Sequence, residues 1–306
     1  MYRLVRFYNQ NRKTINRIIL VIVFLFLILK VLNSFVKNKN KSDFITDNSN
    51  NITISNAVTS DKSVVTGKEL NKNQITEIDV IEKFYKYCYS KEAENAYNLL
   101  STDCKTELFP SIDEFKTSFF SPIFGNSEKL YTIENWVGSI YKIRISENIL
   151  ETGKEAKKAI SDYVTVVEEN NEYRLNIYDF IRKKTINKQK KFDDVEIKIL
   201  NEYKYMDFNI FEIEITNNGT KPILLDDLNE IDNTYISDTN RQKYKMYTHE
   251  VTSEQLTIKP NSTTRIKLKF YCKYISTREI ESITFNNVIL NYKSDEKNTQ
   301  YKIEIL

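Results

Sequence analysis

The sequence predicts a single transmembrane helix, followed by an α+β domain and then by an all-β sandwich. Three observations predict this fold class. Residues 18–36 form an almost unbroken apolar run. After residue 74 apolar side chains recur every three or four positions, as on a helix, and from about residue 129 they alternate, as on a strand. Beyond residue 191 the alternation continues without a convincing helix, which indicates a second domain made of strands.

The apolar run is long enough to cross a lipid bilayer. Ile18–Leu29 is wholly apolar and the run continues to Val36, while a spanning helix needs about 20 mainly apolar residues. A cleaved signal peptide would show small residues after the run, but the chain continues as NSFVKNKNK. A buried core helix is disfavoured because no other segment is comparably apolar. We therefore expect an uncleaved transmembrane helix over 18–36.

Positive charges beside this helix predict its orientation. Residues 1–17 contain five lysines or arginines and no acid, and such tails tend to remain cytoplasmic. The outer flank carries Lys37, Lys39 and Lys41 before Asp43. We expect a single-pass protein of the cell membrane with a cytoplasmic tail over 1–17 and with the bulk of the chain extracytoplasmic.

The predicted domains themselves are slightly acidic. Six of the 45 lysines and arginines lie in residues 1–36, so the rest of the chain has 39 of them against 42 acidic residues, a net charge of −3. A nucleic-acid surface normally needs clustered positive charge, and no basic stripe occurs outside the tail. We expect a membrane partner and no nucleic acid.

No pattern indicates a catalytic residue, a metal site or a cofactor. The three cysteines are an odd number without a CxxC pair, which favours buried thiols and leaves the state of Cys88 and Cys104 open. His249 is the only histidine and has no nucleophile motif near it. Acidic pairs such as Asp226-Asp227 are expected in solvated turns.

A polar segment, 37–73, separates the membrane helix from the first domain. It is rich in Asn, Ser, Lys, Thr and Asp and poor in large apolar residues, which is typical of a disordered linker. The first domain, 74–185, then shows the spacing of two amphipathic helices and a short third helix, with Thr76 and Ser111 as expected N-caps. Four strands follow, in the segments KLYTIENWVG, SIYKIRISENIL, AISDYVTVVEEN and EYRLNIYDFIRK.

The segment IDVIEKFYKYCYSKEAENAYNLLSTDCKTEL, a Trp-bearing strand and the closing YRLNIYDFI together resemble the NTF2-like (cystatin-like) cone fold of many exported proteins of Gram-positive bacteria. The resemblance covers about 74–185 and implies a cavity between the helices and the concave face of the sheet. The ligand-cavity candidates in this sequence are Tyr85, Tyr131, Trp136, Asp162, Tyr163 and Asp179. An aromatic core without a cavity is an equally good interpretation of the aromatic members.

The second domain, 191–306, is predicted to be a β-sandwich. In FEIEI the apolar Phe211, Ile213 and Ile215 face one side and the glutamates the other, which indicates one buried and one wet face. About seven such strands fit an immunoglobulin-like sandwich. The segments ITNNGTKPILL and LTIKPNSTTRIKLKF resemble immunoglobulin-like modules of Gram-positive surface proteins and lipoproteins, a resemblance that implies architecture and no catalysis.

Together these features predict a membrane-anchored extracytoplasmic binding or assembly module without catalytic activity of its own. The expected partners are envelope proteins or cell-wall polymer, with protein contact by strand addition at exposed sheet edges. An N-in single span followed by an NTF2-like domain is also similar to the bitopic assembly factors of type IV secretion systems, which would place the chain in a conjugation or secretion assembly. The alternative is a small-ligand receptor or an enzyme that uses the NTF2-like cavity.

Overall fold

The computed structural model describes residues 59–60, 63–66, 72–125, 129–147, 160–293 and 299–305. The predicted cytoplasmic tail and transmembrane helix lie outside these residues, as does most of the predicted linker. Within the described part of the chain, no helix is both long and apolar enough to cross a membrane. The described residues form a mixed α+β structure in which strands predominate.

One long helix and several short ones follow one another between residues 72 and 124. They are α1 (Lys72–Tyr89), α2 (Ala93–Asn98), α3 (Thr102–Leu108), α4 (Ile112–Phe115), a π-helical turn (Lys116–Phe120) and α5 (Ser121–Phe124). Ser111 caps α4 as predicted, because its hydroxyl accepts a hydrogen bond from the Glu114 amide at 3.2 Å. The cap predicted at Thr76 is wrong, because α1 already begins at Lys72.

The second predicted helix is divided into α2 and α3 by a contact with a strand. The Ser101 amide donates to the Leu175 carbonyl at 2.9 Å, and the Leu175 amide donates to the Leu99 carbonyl at 3.0 Å. The Ser101 amide and the Leu99 carbonyl thus bond to the strand and not to the backbone of a continuous helix. The Ser101 hydroxyl then begins α3 by accepting a hydrogen bond from the Cys104 amide.

The first sheet contains six strands in chain order. They are β1 (Thr59–Ser60), β2 (Ser63–Thr66), β3 (Lys129–Val137), β4 (Ile140–Glu147), β5 (Ile160–Glu169) and β6 (Glu172–Asn176). Strand β2 pairs in parallel with β3, and the other neighbours pair antiparallel. The prediction of a disordered linker over 37–73 did not include β1 and β2.

Two further sheets are formed by the remaining strands. They are β7 (Phe180–Phe192), β8 (Val195–Tyr205), β9 (Asn209–Asn217), β10 (Ile223–Leu224), β11 (Tyr235–Asp238), β12 (Lys243–Lys245), β13 (Thr257–Ile258), β14 (Ser262–Phe270), β15 (Ile280–Ile289) and β16 (Gln300–Ile305). One sheet has the order β14-β9-β8-β7; the other has the order β12-β11-β15-β10-β13, with β16 paired to β15. A 3₁₀ turn at Thr248–Glu250 carries His249 on the surface.

The two regions that follow from this arrangement have separate cores. In the helix–sheet region, residues 59–179, the helices cover one face of the first sheet with an aromatic core that contains Phe84, Phe115 and Phe119. The Phe115 and Phe119 rings stack with their centroids 5.5 Å apart. In the two-sheet region, residues 180–305, the other two sheets enclose a mostly aliphatic core, whose members include Phe211, Ile213 and Ile215 as the alternation predicted.

All three cysteines are free, and all three are buried. Cys88 and Cys104 belong to the aromatic core of the helix–sheet region, whereas Cys272 belongs to the core of the two-sheet region. Burial raises the pKa of the Cys104 thiol to about 12. These thiols therefore behave as small apolar side chains, as the sequence predicted.

Strand β7 connects the two regions without a linker. Its first residue, Phe180, lies in the aromatic core and contacts the Tyr205 ring of β8 at a centroid distance of 5.2 Å. Its last residue, Phe192, packs against the core of the two-sheet region. The expected boundary between 185 and 191 therefore falls inside one hydrogen-bonded strand.

A carboxylate adds a second connection between the regions. Glu107 of α3 binds the Lys183 ammonium of β7 at 3.3 Å and the Lys267 ammonium of β14 at 2.8 Å. The Glu107 side chain is 11% exposed, while that of Lys267 is 50% exposed. The pair with Lys183 is thus the less solvent-screened of the two.

We expect Glu107→Gln to lower the free energy of unfolding of the full chain by about 1 kcal/mol, because both ion pairs are lost while a hydrogen-bonding side chain remains. The matched control is Glu214→Gln, which removes a pair with the 65% exposed Arg265 within the two-sheet region. Urea denaturation measures both. Equal losses in the two variants would contradict a special role for Glu107.

Candidate functional site

Two of the six predicted cavity residues lie together inside the helix–sheet region. The rings of Tyr85 and Tyr131 stack with their centroids 4.9 Å apart, and both side chains are buried. The Tyr85 hydroxyl has no hydrogen-bond partner among the described residues, and burial raises the pKa of that phenol well above its ordinary value. A buried phenol of this kind is a potential hydrogen-bond donor to a ligand.

Asp162 of β5 also faces this interior. It lies two residues before the buried Val164, so both side chains point to the helix-covered face of the sheet. Its carboxylate accepts hydrogen bonds from the backbone amides of Tyr178 and Asp179 at 3.3 and 3.0 Å. Burial, followed by the charge of Asp179, raises the pKa of Asp162 to about 7. Asp162 therefore holds the turn between β6 and β7, where Tyr178 and Asp179 have positive φ angles.

The other three predicted residues lie elsewhere. Tyr163 points to the opposite face of the sheet, where the Trp136 ring contacts it edge-on at 5.6 Å and is 50% exposed. The Lys142 ammonium lies 5.7 Å from each ring centroid. Asp179 accepts a hydrogen bond from the Tyr163 amide at 3.1 Å. The structure thus brings Tyr85, Tyr131 and Asp162 to one interior, and a ligand role for them stays a prediction.

The raised pKa of Asp162 predicts a pH-dependent stability. Between about pH 4 and pH 7 the folded protein keeps a proton on Asp162 that the unfolded chain has released, so the stabilisation is complete below pH 3.8 and is lost as pH rises towards 7. The full effect is on the order of 4 kcal/mol. We expect Asp162→Asn to flatten this dependence in unfolding titrations across pH 4 to 8.

Glu281→Gln, a change to an exposed carboxylate of β15, is the control and should leave the dependence as in the wild type. The half-buried Asp179, whose pKa burial also raises, remains in both variants and contributes in the same direction. An Asp162→Asn protein with an unchanged dependence would show that the carboxylate is ionised in the fold.

A second arrangement of polar side chains lies on the outer face of the sheet that contains β11, β12 and β15. Lys243 and Lys245 of β12 alternate with a residue paired to the buried Ile236, so both lysines point outward. Tyr235 of β11 points the same way and lies opposite Lys245 on one side and Thr284 of β15 on the other. The three strands thus form a polar row across the sheet.

Lys243 and Lys302 both lower the pKa of Tyr235. The Lys243 ammonium lies over the Tyr235 ring, 4.3 Å from its centroid, and Lys302 belongs to β16. Burial raises the pKa of Tyr235, but polar contacts of its oxygen with Thr284, Lys243 and Lys302 outweigh burial and lower the pKa.

None of these three lysines, Lys243, Lys245 and Lys302, forms an ion pair with a carboxylate of the described residues. Other exposed lysines of the two-sheet region, such as Lys188, Lys191 and Lys259, also form no ion pair with a described carboxylate, and the three differ from them because they line one cavity. Lysines with a carboxylate partner there are Lys183, Lys184, Lys204, Lys267 and Lys269. The positive charge of the outer row is thus not neutralised by an ion pair within the described chain.

The three lysines and Tyr235 line a cavity of about 460 Å³, here called the lysine groove. Its lining also contains Asp232, Asn286 and Tyr271, and Tyr271 is 48% exposed. Tyr271 is held by stacking on Tyr247, with the ring planes 15° apart. Among the residues that line the groove, Asp232 supplies the single carboxylate. The groove therefore carries net positive charge next to an aromatic side chain.

A buried carboxylate supports the wall of the lysine groove. Asp226 accepts hydrogen bonds from the Thr234 amide at 2.7 Å and from the Asn287 side chain at 3.1 Å. Asn287 and Asn286 both donate to the Asp232 carbonyl, from a bulge in β15 opposite β16. The expectation of a solvated Asp226 is wrong, because its side chain is almost fully buried and holds this wall.

The sequence prediction missed the lysine groove for two reasons. Strands β11 and β12 have four and three residues, which is too short for a clear alternation. A pair of asparagines such as Asn286-Asn287 is typical of a turn between two strands, whereas the structure has one strand, β15, with a bulge at this point. The usable signal was Lys243-Tyr244-Lys245, since two lysines two residues apart in a strand must share a face.

Comparisons with known proteins leave the family open. No protein-family profile matches the sequence, and no curated protein does. One solved structure, the 2.2 Å crystal structure of a conserved hypothetical protein from Bacillus anthracis, matches 41% of this chain and 96% of its own length. Its identity to this chain is 14% and the TM-score is 0.24, which is too low to assign a fold.

Proposed function

We propose that this chain is a membrane-anchored extracytoplasmic binding module and that the lysine groove is its binding site for an anionic component of the cell envelope. The observation that carries the proposal is the set of three outward lysines without a carboxylate partner around Tyr235. Two neighbouring ammonium groups repel each other, and an anion that binds both relieves the repulsion. An anionic cell-wall polymer or an acidic envelope protein would supply such a group.

The same proposal assigns a role to each part of the chain. Residues 18–36 would hold the protein in the membrane, with residues 1–17 in the cytoplasm. The helix–sheet region would be an NTF2-like domain and the two-sheet region an immunoglobulin-like sandwich. The continuous strand β7 supports a rigid presentation of the groove, because it leaves no flexible linker between the regions. An envelope assembly, including one for conjugation or secretion, could use such a rigid extracytoplasmic arm.

The membrane anchor predicts the behaviour of the chain in fractionation. We expect the full chain to stay in the membrane after alkaline carbonate extraction, because a spanning apolar helix cannot dissolve in water. Protease added outside intact protoplasts should remove the two folded regions. Deletion of 18–36 should release the protein from the membrane.

A released protein whose new N-terminus follows residue 36 would instead identify a cleaved signal peptide. Protection of the folded regions from external protease would contradict the expected orientation. Each outcome can be assigned by N-terminal sequencing and by immunoblotting of the fractions.

The lysine groove predicts charge-dependent binding to the envelope. We expect the full chain in a nonionic detergent to co-sediment with purified Gram-positive cell-wall fragments. The triple variant Lys243→Gln, Lys245→Gln and Lys302→Gln should bind about tenfold or more weakly, since several charge contacts of up to about 1 kcal/mol each are lost. Added salt should weaken wild-type binding.

The matched control is the triple variant Lys188→Gln, Lys191→Gln and Lys259→Gln, which removes three exposed lysines outside the groove. It changes net charge by the same amount. Equal losses of binding in both triple variants would show that net charge alone explains the effect. Unchanged binding of the groove variant would exclude the groove as the site.

A second candidate function uses the interior of the helix–sheet region as a small-ligand site. The pair that favours it is the buried Asp162, with its pKa of about 7, and the Tyr85 hydroxyl without a partner among the described residues. The Asp162→Asn variant described above also tests this function. A small molecule that raises the melting temperature of the wild type alone would support it, and a screen without such a molecule would leave the groove as the sole candidate.

A further inference from the structure

The lysine groove is larger than a simple inorganic anion requires. Its volume of about 460 Å³ lies within the range of sites for small organic molecules, which is about 300 to 1,000 Å³. The lysines occupy one part of its lining, so a ligand that fills the groove extends beyond its charged group. The nature of the remaining lining therefore carries information about that ligand.

Other residues of the lining, Asn286 and Asp232, can accept hydrogen bonds. The Asn286 amide nitrogen donates to the Asp232 carbonyl at 2.9 Å, so its amide oxygen is left to accept. Asp232 belongs to the same lining, and a carboxylate is a stronger hydrogen-bond acceptor than an amide oxygen. A ligand made of negative charges alone would be repelled by Asp232, whereas hydroxyl groups could donate to both acceptors.

The donors of the groove suit a phosphate group. Lys243, Lys245 and Lys302 line the same cavity, so their ammonium groups can bind different oxygens of one tetrahedral anion. Lysine binds phosphate as a point charge and does not require the bidentate geometry with which the planar fork of arginine binds a carboxylate or a phosphate. No arginine is among the residues that line the groove. The exposed face of Tyr271 in the lining can contact the C–H groups of a polyol or sugar.

We propose that the lysine groove binds a phosphate group carried on a polyol or a sugar, as in a polyol-phosphate polymer of the cell envelope. Lys243 and Lys302 contact the phosphate, Asp232 and Asn286 accept from the ligand hydroxyls, and Tyr271 covers its carbon chain. This inference rests on the proposed function of the groove and adds the chemical class of its ligand. Binding is non-covalent, and no bond is made or broken.

The test uses full-length protein in a nonionic detergent and isothermal titration calorimetry with defined probes. The probes are poly(glycerol phosphate), glycerol 1-phosphate, inorganic phosphate and poly-glutamate with the same number of charges as the first probe. We expect poly(glycerol phosphate) to bind about tenfold or more tightly than poly-glutamate. Glycerol 1-phosphate should bind more tightly than inorganic phosphate, because it supplies hydroxyl donors.

Single variants distinguish the contribution of the lysine charges from that of the hydrogen-bond acceptors. Lys302→Gln should weaken both polymers, whereas Asn286→Ala should weaken poly(glycerol phosphate) alone and so reduce its advantage over poly-glutamate. Lys259→Gln is the control for charge outside the groove. Thermal unfolding of each variant establishes that it is folded, and the comparison of probes on the wild type does not depend on any variant.

Each other outcome overturns the inference in a recognisable way. Equal binding of both polymers through the groove lysines would overturn the polyol-phosphate class and leave an anionic partner. Binding to phosphatidylcholine vesicles that contain phosphatidylglycerol, with no binding of the soluble polymer, would identify a lipid headgroup instead. If neither polymer binds but wall fragments still require the groove lysines, this inference fails alone. If wall binding also ignores those lysines, the proposed function fails with it.

Discussion

The continuity of strand β7 is the constraint on which the rest of the structure depends. It begins in the aromatic core with Phe180 and ends against the aliphatic core with Phe192, and it stays paired with β8 over that length. Strand β8 repeats the arrangement, because Val195 belongs to one core and Tyr205 to the other. Separating the two regions would expose the Phe180 and Tyr205 ends of these two strands to water.

The lysine groove depends on that frame through short strands that could not be stable alone. A three-residue strand such as β12 contributes few ladder bonds, so its place is set by β11 and by the buried carboxylate of Asp226 behind the wall. Strands β12 and β16 then bring the three lysines to one cavity. Their charge is left without ion pairs inside the described chain, while Glu107 and Glu279 bind lysines elsewhere in the same region. What distinguishes the groove is that three such lysines line one cavity.

Much of the fold followed from local patterns, and the exceptions have physical causes. The alternation of Phe211, Ile213 and Ile215 predicted their buried face, and Ser111 was a readable cap. The break between two helices at Leu99–Ser101 could not be predicted from the local sequence, because its hydrogen bonds go to Leu175, more than seventy residues away. Strands β1 and β2 were missed for the same reason, since a polar segment becomes a strand only where β3 offers a free edge.

The candidate site was less predictable than the fold. The six residues proposed for a cavity all belong to the helix–sheet region. Alternation along β5, however, sends Asp162 and Tyr163 to opposite faces of the sheet. Tyr235, Lys243 and Lys302 were not singled out, since Lys302 comes from a strand far along the chain from the other two. Their meeting is a property of the strand order, β12-β11-β15 with β16 beyond.

The sequence by itself determined the apolar run of 18–36, the charge asymmetry around it, and the period of most helices and strands, because each depends on neighbouring residues. The tertiary structure alone decided that β7 belongs to both cores, that Asp226 is buried, and that three lysines surround Tyr235. Those features arise from contacts between distant segments, whose partners are chosen by the packing of whole sheets and leave no local pattern in the chain.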